Sequence, residues 1–445
     1  MKFNNTSLQR SECRFSGEAR DQAASSSTEG RAPQKRKRLL SSGPALLVAA
    51  VASLTAASLL TACTTLTVDF VYVTSSKAAG PNNYGLVDVF EINSESGKMR
   101  QIPASPFPSG GRLPIAEAVS SDNGNLFVVN EDDNSIVQFV IGSDGKLYPF
   151  NTVNTPGIFP VGVATTKTDL FVIDTYQPLP ICSDADPCSG SIAVYPFNAA
   201  SGSNPITLGT PLTNTANSAQ YWPLSLPGSA DIIVPTGVSV LASGAYVYVT
   251  AYDSSVTPFA GYVFAFSVGS DGALTQVAGS PFAAGIQPTA VAGDPSSAYL
   301  YVTDYASANV RAYLVGASGG LTSVSGSPFA TGNEPTAIVV DPSYPYAYVA
   351  NSLDATVTAY SISNGVLTSL GNYTTGTDPV AIGIDPSTEH FLFTANFLGN
   401  NVNGFELSTT AGTLIDSQFS PFSASTNPTA VAAIPHNGTG GGLSK

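Results

Sequence analysis

A motif that returns seven times constrains the fold of this chain more strongly than any other feature. Each copy has a proline followed by small residues, then an aromatic-Val strand such as YLYVT at 299–303, then a strand carrying an aromatic residue shortly after Val or Ile. Most copies continue through a Gly-x-Leu turn to a last strand that often ends in Ser-Pro-Phe. The seven prolines are Pro114, Pro160, Pro235, Pro288, Pro335, Pro379 and Pro428.

Four strands in a repeat of about 45 to 50 residues are typical of a propeller blade. Proline is tolerated at the first residue of a strand, and small residues suit strands that crowd around a central channel. With 41 Gly and 32 Pro, the composition also favours short strands joined by turns over long helices. The sequence therefore predicts an all-β, seven-bladed propeller over residues 67–435, with four strands in each blade.

The two ends of the repeat region predict how the ring closes. The region begins with an aromatic-Val strand that lacks its own proline strand, and it finishes with a lone proline strand at 426–435. We expect this C-terminal strand to complete the N-terminal blade, which leaves no open inner edge. One blade is irregular, because its surplus residues at about 174–231 interrupt the repeat.

The N-terminal segment has the layout of an export signal. Residues 1–38 are polar and end in four basic residues, residues 39–62 are apolar or small, and the segment closes with Leu60-Thr61-Ala62-Cys63. The last four residues resemble a bacterial lipobox, so we expect Cys63 to be acylated and residues 63–66 to form a short tether. The alternative is an uncleaved membrane anchor, which needs about 20 apolar residues.

We accordingly expect an exported, lipid-anchored protein of the bacterial cell envelope. Residues 1–30 are long for such a signal and are either a disordered tail or the product of a misassigned start. Residues 436–445 are predicted to be a flexible tail. Removing residues 1–62 leaves 8 basic against 27 acidic residues, and so acidic a surface disfavours binding to nucleic acid.

Two cysteines remain beyond the signal segment and the lipobox. Cys182 and Cys188 lie in ICSDADPCSG, and in an exported protein such a close pair favours a disulfide. A metal site is the alternative, but neither of the two histidines is near in sequence. We expect no metal and no cofactor, because no P-loop, metal-spaced cluster or nucleophile elbow with a usable histidine is present.

The G-x-x-P start and the Tyr-Val-Thr-Asn/Asp core of the repeat resemble the YVTN-repeat propellers and the seven-bladed lactonase-like family, which includes 6-phosphogluconolactonases. The resemblance covers roughly residues 67–435. It implies a site on the face where the loops before each proline meet the loops after each aromatic-Val strand. It also implies a His, Arg and Glu set, with His after the repeat proline. This chain has Ile, Val or Thr there, and His390 and His436 lie elsewhere.

Polar residues in these two sets of loops are the candidate ligand contacts. Asp and Asn at strand ends also cap turns, which is the alternative role for Asp304, Asn351 and Asn396. Arg112, Glu131 and Glu334 are harder to explain by turn chemistry, and Arg112 is the best candidate for an anion contact. The candidates are Arg112, Glu131, Tyr252, Gln287, Asp304, Glu334, Asn351, Asp378 and Asn396.

Two functions follow as hypotheses. The first is a monomeric, envelope-anchored propeller without catalytic activity, whose loop face binds a protein, a glycan or a small molecule. The second is a lactone hydrolase of the 6-phosphogluconolactonase-like type, using Arg112 with Glu131 or Glu334. The acidic surface favours an uncharged lactone over a phosphosugar for this second hypothesis.

Overall fold

The computed structural model describes residues 68–80, 82–93, 96–178, 182, 188–198, 206–228, 230–385 and 391–435. The predicted tail, signal segment and Cys63 lie outside these residues, as do residues 436–445 and both histidines. Within the described part of the chain the secondary structure is β throughout, in 33 strands.

In chain order the strands are β1 (Val68–Ala79), β2 (Tyr84–Asn93), β3 (Met99–Gln101), β4 (Phe107–Pro108), β5 (Pro114–Val119), β6 (Asn125–Asn130), β7 (Ser135–Ile141), β8 (Leu147–Asn154), β9 (Ile158–Thr165), β10 (Asp169–Tyr176), β11 (Ser191–Asn198), β12 (Thr207–Leu208), β13 (Trp222–Pro223), β14 (Ile233–Val240), β15 (Tyr246–Asp253), β16 (Ala260–Val268), β17 (Leu274–Gln276), β18 (Phe282–Ala283), β19 (Pro288–Gly293), β20 (Tyr299–Asp304), β21 (Asn309–Val315), β22 (Leu321–Ser323), β23 (Phe329–Ala330), β24 (Pro335–Val340), β25 (Tyr346–Asn351), β26 (Thr356–Ser363), β27 (Val366–Thr374), β28 (Pro379–Ile384), β29 (Phe391–Asn396), β30 (Asn401–Leu407), β31 (Leu414–Asp416), β32 (Phe422–Ser423) and β33 (Pro428–Ile434).

These strands form seven antiparallel sheets, which confirms the seven-bladed propeller. Blade one is ordered β33, β1, β2, β3, so the C-terminal strand is its innermost strand, as predicted. Blades two to seven begin at β5, β9, β14, β19, β24 and β28, and each runs outward in chain order. Buried apolar side chains of the described residues form seven clusters, one at each junction between neighbouring blades.

The outermost strand differs from the prediction in five blades, where two short pieces replace one continuous strand. In four of these blades the serine of Ser-Pro-Phe explains the break, because its hydroxyl accepts a hydrogen bond from a backbone amide of the third strand. Ala312 N, for example, donates to Ser327 Oγ at 2.9 Å. Blades two and six lack Ser-Pro-Phe and keep the continuous strands β8 and β27.

Hydrogen bonds along the channel join neighbouring blades. In blades four, five, six and one, the residue after the proline is Thr, and its hydroxyl donates to the proline carbonyl of the next blade at 2.7 to 3.0 Å. Further out, Tyr248 and Tyr348 donate to Gly319 and Gly412 in the Gly-x-Leu turns of the next blade. The regular spacing of the repeat therefore places both the threonine and the tyrosine hydroxyls at the blade junctions.

Part of the extra sequence in the irregular third blade forms the outer edge of that blade. Trp222 lies in β13, which pairs with β11, and its side chain is buried. Cys182 and Cys188 form the predicted disulfide, with their Cα atoms 5.4 Å apart. Ser189 ties this segment to the start of blade four, because its hydroxyl donates to Asp231 O at 2.8 Å.

Candidate functional site

The innermost strands of all seven blades enclose a channel along the propeller axis. A cavity of about 270 Å³ lies between them, lined chiefly by Ala, Gly, Val and Thr. Each innermost strand has a register irregularity directly after its first residues, where the bulged residue lies next to the proline. The loops that lead into these strands form one end of the channel, which we call the mouth.

Two rings of residues surround the mouth. The inner ring consists of the residue before each repeat proline, and all seven of its members are half-buried. The outer ring consists of the residue that follows one equivalent position of each second strand, which is Asn or Asp in five blades and Ser75 or Ala251 in the other two. The inner ring is Asn427, Leu113, Phe159, Val234, Gln287, Glu334 and Asp378, and the outer ring is Ser76, Glu131, Thr175, Tyr252, Tyr305, Ser352 and Phe397.

One backbone contact fixes the two rings relative to each other. In blades one, two, five, six and seven, the outer-ring amide donates to the inner-ring carbonyl at 2.8 or 2.9 Å, as Tyr305 N does to Gln287 O. In blade four the same two positions, Val234 and Tyr252, pair within the sheet. In each blade that has this hydrogen bond, the two ring residues therefore occupy equivalent positions relative to each other.

The inner ring has an unusual backbone. Five members have a left-handed conformation with φ between 50° and 60°, and four of the five are residues other than Asn. Side chains with a Cβ rarely adopt this conformation, and a following proline restricts the residue further. Such strain persists where surrounding structure imposes it and is often found at functional sites. The five residues are Leu113, Phe159, Glu334, Asp378 and Asn427.

Carboxyl groups dominate the half of the mouth formed by blades five to seven. Tyr305 of the outer ring donates a hydrogen bond to Glu334, and this bond raises the pKa of Tyr305 above its ordinary value. Ser352 Oγ lies 3.4 Å from Glu334 Oε2. Burial, together with the nearby Glu334 carboxylate, raises the pKa of Asp378. Glu334 is therefore close enough to Asp378 for its charge to influence the ionisation of Asp378.

Aromatic side chains occupy the opposite half, on blades three and four. The rings of Phe159 and Tyr176 meet edge to face with centroids 6.1 Å apart, and those of Tyr252 and Phe259 lie 4.8 Å apart. Burial and the neighbouring Tyr176 hydroxyl raise the pKa of Tyr252, so the two pairs adjoin. We call these four residues the aromatic wall. Leu113 and Val234 of the inner ring flank it.

Three candidate residues lie beneath the mouth rather than at it. Asp304, Asn351 and Asn396 are completely buried. Asp304 accepts hydrogen bonds from the amides of Ile286 and Gln287, both at 3.0 Å, in the loop that precedes β19. Asn351 and Asn396 instead bond to side chains: each accepts a hydrogen bond from a threonine hydroxyl of the preceding loop and donates to a threonine or asparagine side chain of the next strand. These three side chains stabilise the loops, and the residues that follow them face the mouth.

Arg112 lies at the mouth of blade two, and Asp133 holds it. Its backbone amide and its Nε donate to the two oxygens of the Asp133 carboxylate at 2.8 and 2.7 Å, and Nη2 donates to Asp132 O at 3.1 Å. The guanidinium charge is thus compensated within blade two. Glu131, the outer-ring residue of this blade, is half-buried beside Leu113. Both residues belong to blade two, whereas Glu334 and Asp378 belong to blades six and seven.

Glu117 is a channel residue that the sequence analysis did not single out. It lies on the innermost strand of blade two, and its carboxylate accepts a hydrogen bond from Thr74 Oγ1 of blade one. Burial raises the pKa of Glu117 to about 7, although the bonds from Thr74 and from the Ala432 amide oppose the shift. Among the described residues that line the channel cavity, it is the only charged one. A single Glu among small residues in PIAEAV was the available signal.

Among the described residues no group of three or more His, Cys, Asp or Glu side chains is arranged to hold a metal ion. Within the same part of the chain, no helix has the length and apolar character required to cross a bilayer.

Comparison with known proteins gives a family match over part of the propeller. Residues 321–432 match the family described as "Lactonase, 7-bladed beta-propeller". This segment contains blades six and seven, with Glu334 and Asp378, and the closing strand. No curated protein matches the chain.

Solved structures share the fold at low sequence identity. A candidate 6-phosphogluconolactonase from Bacteroides fragilis is 18% identical with a TM-score of 0.63, covering 84% of this chain and 99% of its own. The periplasmic gluconolactonase of Pseudomonas aeruginosa is 16% identical with a TM-score of 0.64, covering 82% and 99%. By sequence over residues 321–432, and by fold over the rest of the propeller, this chain is similar to the seven-bladed lactonases.

Proposed function

We propose that this protein is a lactone hydrolase of the seven-bladed lactonase family whose active site is the mouth. The observation that carries the proposal is the Glu334–Asp378 carboxyl pair. It lies inside the segment that matches the family, at the channel entrance, and burial favours a proton on Asp378 at a higher pH than usual. A carboxylate with a raised pKa is a better general base than one exposed to water.

The chemistry required is the addition of water to the lactone carbonyl. Asp378 takes a proton from water as the water oxygen bonds to the carbonyl carbon, and the ring C–O bond then breaks. The departing ring oxygen receives the proton, which gives a hydroxy acid. Glu334 raises the basicity of Asp378 and orients Tyr305, whose hydroxyl lies beside the pair. Arg112 and Glu131, the other catalytic candidates from the sequence, lie on blade two.

A lactone panel tests this proposal. Asp378→Asn is expected to lower kcat/KM at least about a hundredfold, the usual contribution of a general base. Glu334→Gln should lower it less, because Glu334 acts through Asp378. Asp416→Asn, which changes an exposed carboxyl group on the outer edge of blade seven, is the matched control and keeps full activity. Turnover that survives in Asp378→Asn but is lost in Arg112→Ala would move the site to blade two.

The second proposal is a binding module for a protein, glycan or small ligand. Its support is the ion pair between Arg112 and Asp133. Asp133 neutralises the guanidinium that the family resemblance would assign to catalysis. This alternative would be favoured if the purified protein hydrolyses none of the lactones but binds a ligand, and if Asp378→Asn or Phe159→Asn abolishes that binding. Turnover lost in Asp378→Asn would exclude it.

We also propose that the protein is exported and anchored by a lipid on Cys63. Its support is the LTAC sequence after the apolar segment and the periplasmic location named for the Pseudomonas aeruginosa structure. The test is fractionation of a Cys63→Ala variant. We expect that variant to leave the membrane fraction, and its retention there would favour the uncleaved anchor.

A further inference from the structure

The mouth is chemically divided, and the division bears on what it binds. The half formed by blades five to seven carries Gln287, Glu334, Asp378 and the Tyr305 hydroxyl. The half formed by blades two to four carries the aromatic wall, flanked in the inner ring by Leu113 and Val234, with Glu131 and Thr175 in the outer ring. A ligand that covers both halves would therefore contact carboxyl groups at one end and mainly aromatic and aliphatic side chains at the other.

The apolar half is suited to hydrocarbon more than to a sugar ring. Sugars stack on aromatic faces but also need hydrogen-bonding partners around the ring edge, since unpaired hydroxyls are costly to bury. The inner-ring neighbours of the aromatic wall, Leu113 and Val234, are aliphatic, and Val256, three residues before Phe259, is exposed. The wall's own polar groups are the hydroxyls of Tyr176 and Tyr252, and Glu131 and Thr175 belong to the outer ring of this half. Phe259 is itself 37% exposed, so apolar surface is available to a ligand.

Charge at the mouth disfavours an anionic substituent. Glu334 and Asp378 contribute carboxyl groups, while the guanidinium of Arg112 is paired with Asp133. Among the described residues, Lys77 near the end of β1 is an exposed cation on this face that forms no salt bridge. A phosphorylated lactone would have to use that side chain.

Resting on the lactonase proposal, we infer that the mouth binds an uncharged lactone with an apolar substituent. The lactone ring lies at the Glu334–Asp378 pair, and the substituent packs against the aromatic wall. Each methylene that the wall removes from water strengthens binding about fourfold. A chain of which two or three methylenes are covered should thus gain at least about tenfold.

Kinetics with two uncharged lactones that differ only in the chain provide the test. We expect kcat/KM for δ-dodecanolactone to exceed that for δ-valerolactone at least about tenfold. Phe159→Asn should remove this ratio. Asn accepts the left-handed backbone that Phe159 adopts at φ 55°, so the variant is expected to fold. Phe419→Asn is the matched control, since Phe419 is also left-handed, at φ 70°, but lies at the outer edge of blade seven.

Other outcomes separate this inference from the lactonase proposal. Equal rates for the two lactones, or a preference for 6-phosphoglucono-δ-lactone that is lost in Lys77→Ala, would overturn the substrate class and leave the lactonase intact. If no lactone is hydrolysed, calorimetry with piperidin-2-one and its 6-heptyl derivative decides. Tighter binding of the alkyl lactam that Phe159→Asn abolishes would support the ligand class, and equal binding would overturn it.

Discussion

Tyr305 of blade five donates a hydrogen bond to Glu334 of blade six, and so joins two blades at the channel mouth. The bond and the carboxylate charge both favour the protonated phenol, which raises the pKa of Tyr305. Glu334→Gln is expected to lower that pKa towards the ordinary value. Ultraviolet titration, with Tyr305→Phe identifying the signal, measures it. Ser352→Ala is the control and should leave the titration in place, and an unchanged Tyr305 in Glu334→Gln would contradict the contact.

The pH dependence of activity reports on Asp378. Burial and the Glu334 carboxylate raise the pKa of Asp378, and a general base acts only when deprotonated, so kcat/KM should fall as the pH drops through that pKa. Glu334→Gln removes the neighbouring charge and should move the acid limb to lower pH, whatever its effect on the maximal rate. The measurement is kcat/KM against pH. An acid limb that stays in place would show that another group is the base.

The stability of the protein should fall as the pH rises, because of Glu117. Its pKa is raised from 4.5 to about 7 on folding, so the folded state holds the proton more tightly than the unfolded state does. The stabilisation is complete below pH 4.5 and is lost as the pH rises through about 7, with a maximum of about 3 kcal/mol. Urea unfolding between pH 4 and 8.5 measures this dependence.

Two variants identify the source of that slope. Glu117→Gln imitates the protonated side chain and should flatten the dependence. Asp174, which is completely buried and whose pKa burial also raises to about 7, contributes in the same direction, so Asp174→Asn should remove a further part. A slope that neither substitution alters would refute the assignment.

The channel hydroxyls allow a test in both directions. Thr429 Oγ1 donates to Pro114 O at 3.0 Å and lies 3.2 Å from Thr74 O, so Thr429→Val should destabilise the protein by about 1 to 2 kcal/mol. Thr429→Ser keeps the hydroxyl and is the control. Val380 occupies the same position in blade seven, and Val380→Thr should stabilise the junction with blade one by up to about 1 kcal/mol. Calorimetric unfolding compares the three variants.

Glycine is required where the loop before β19 passes over Asp304. A Cβ on Gly285 would lie 1.9 Å from Asp304 Oδ2, and φ is +94°. Gly285→Ala should therefore cost more than about 2 kcal/mol. Gly244→Ala is the control, because Gly244 also has positive φ, at +71°, but no atom lies within 4 Å of its Cβ. Equal losses in the two variants would assign the effect to the backbone alone.

The sequence predicted the ring well because the repeat contains its own register. Proline, the aromatic-Val strand and the turn recur at fixed spacing, and the unmatched ends showed which strand closes the ring. The prediction of the mouth residues was displaced by one residue in three blades. Side chains alternate along a strand, so Asp304, Asn351 and Asn396 are buried under the loops while Tyr305, Ser352 and Phe397 form the outer ring.

Other features of the site depend on contacts between distant parts of the chain. Nothing near Arg112 in sequence shows that Asp133, 21 residues later, holds it. The aromatic wall combines Phe159 and Tyr176 with Tyr252 and Phe259 from the next blade, and no motif links them. The surroundings of Glu117 include Thr74 and Ala432, which lie near opposite ends of the propeller region in sequence.

Placing the last strand at the centre of the first blade has a consequence for synthesis. Because β33 supplies the innermost edge of blade one, a nascent chain cannot close the ring until residues 428–434 have left the ribosome. Blades two to seven can form in order, but they remain an open arc with β1 exposed along one edge. A chain that stops before Pro428 therefore leaves the inner edge of β1 unpaired, and an unpaired strand edge is a template for pairing with other chains.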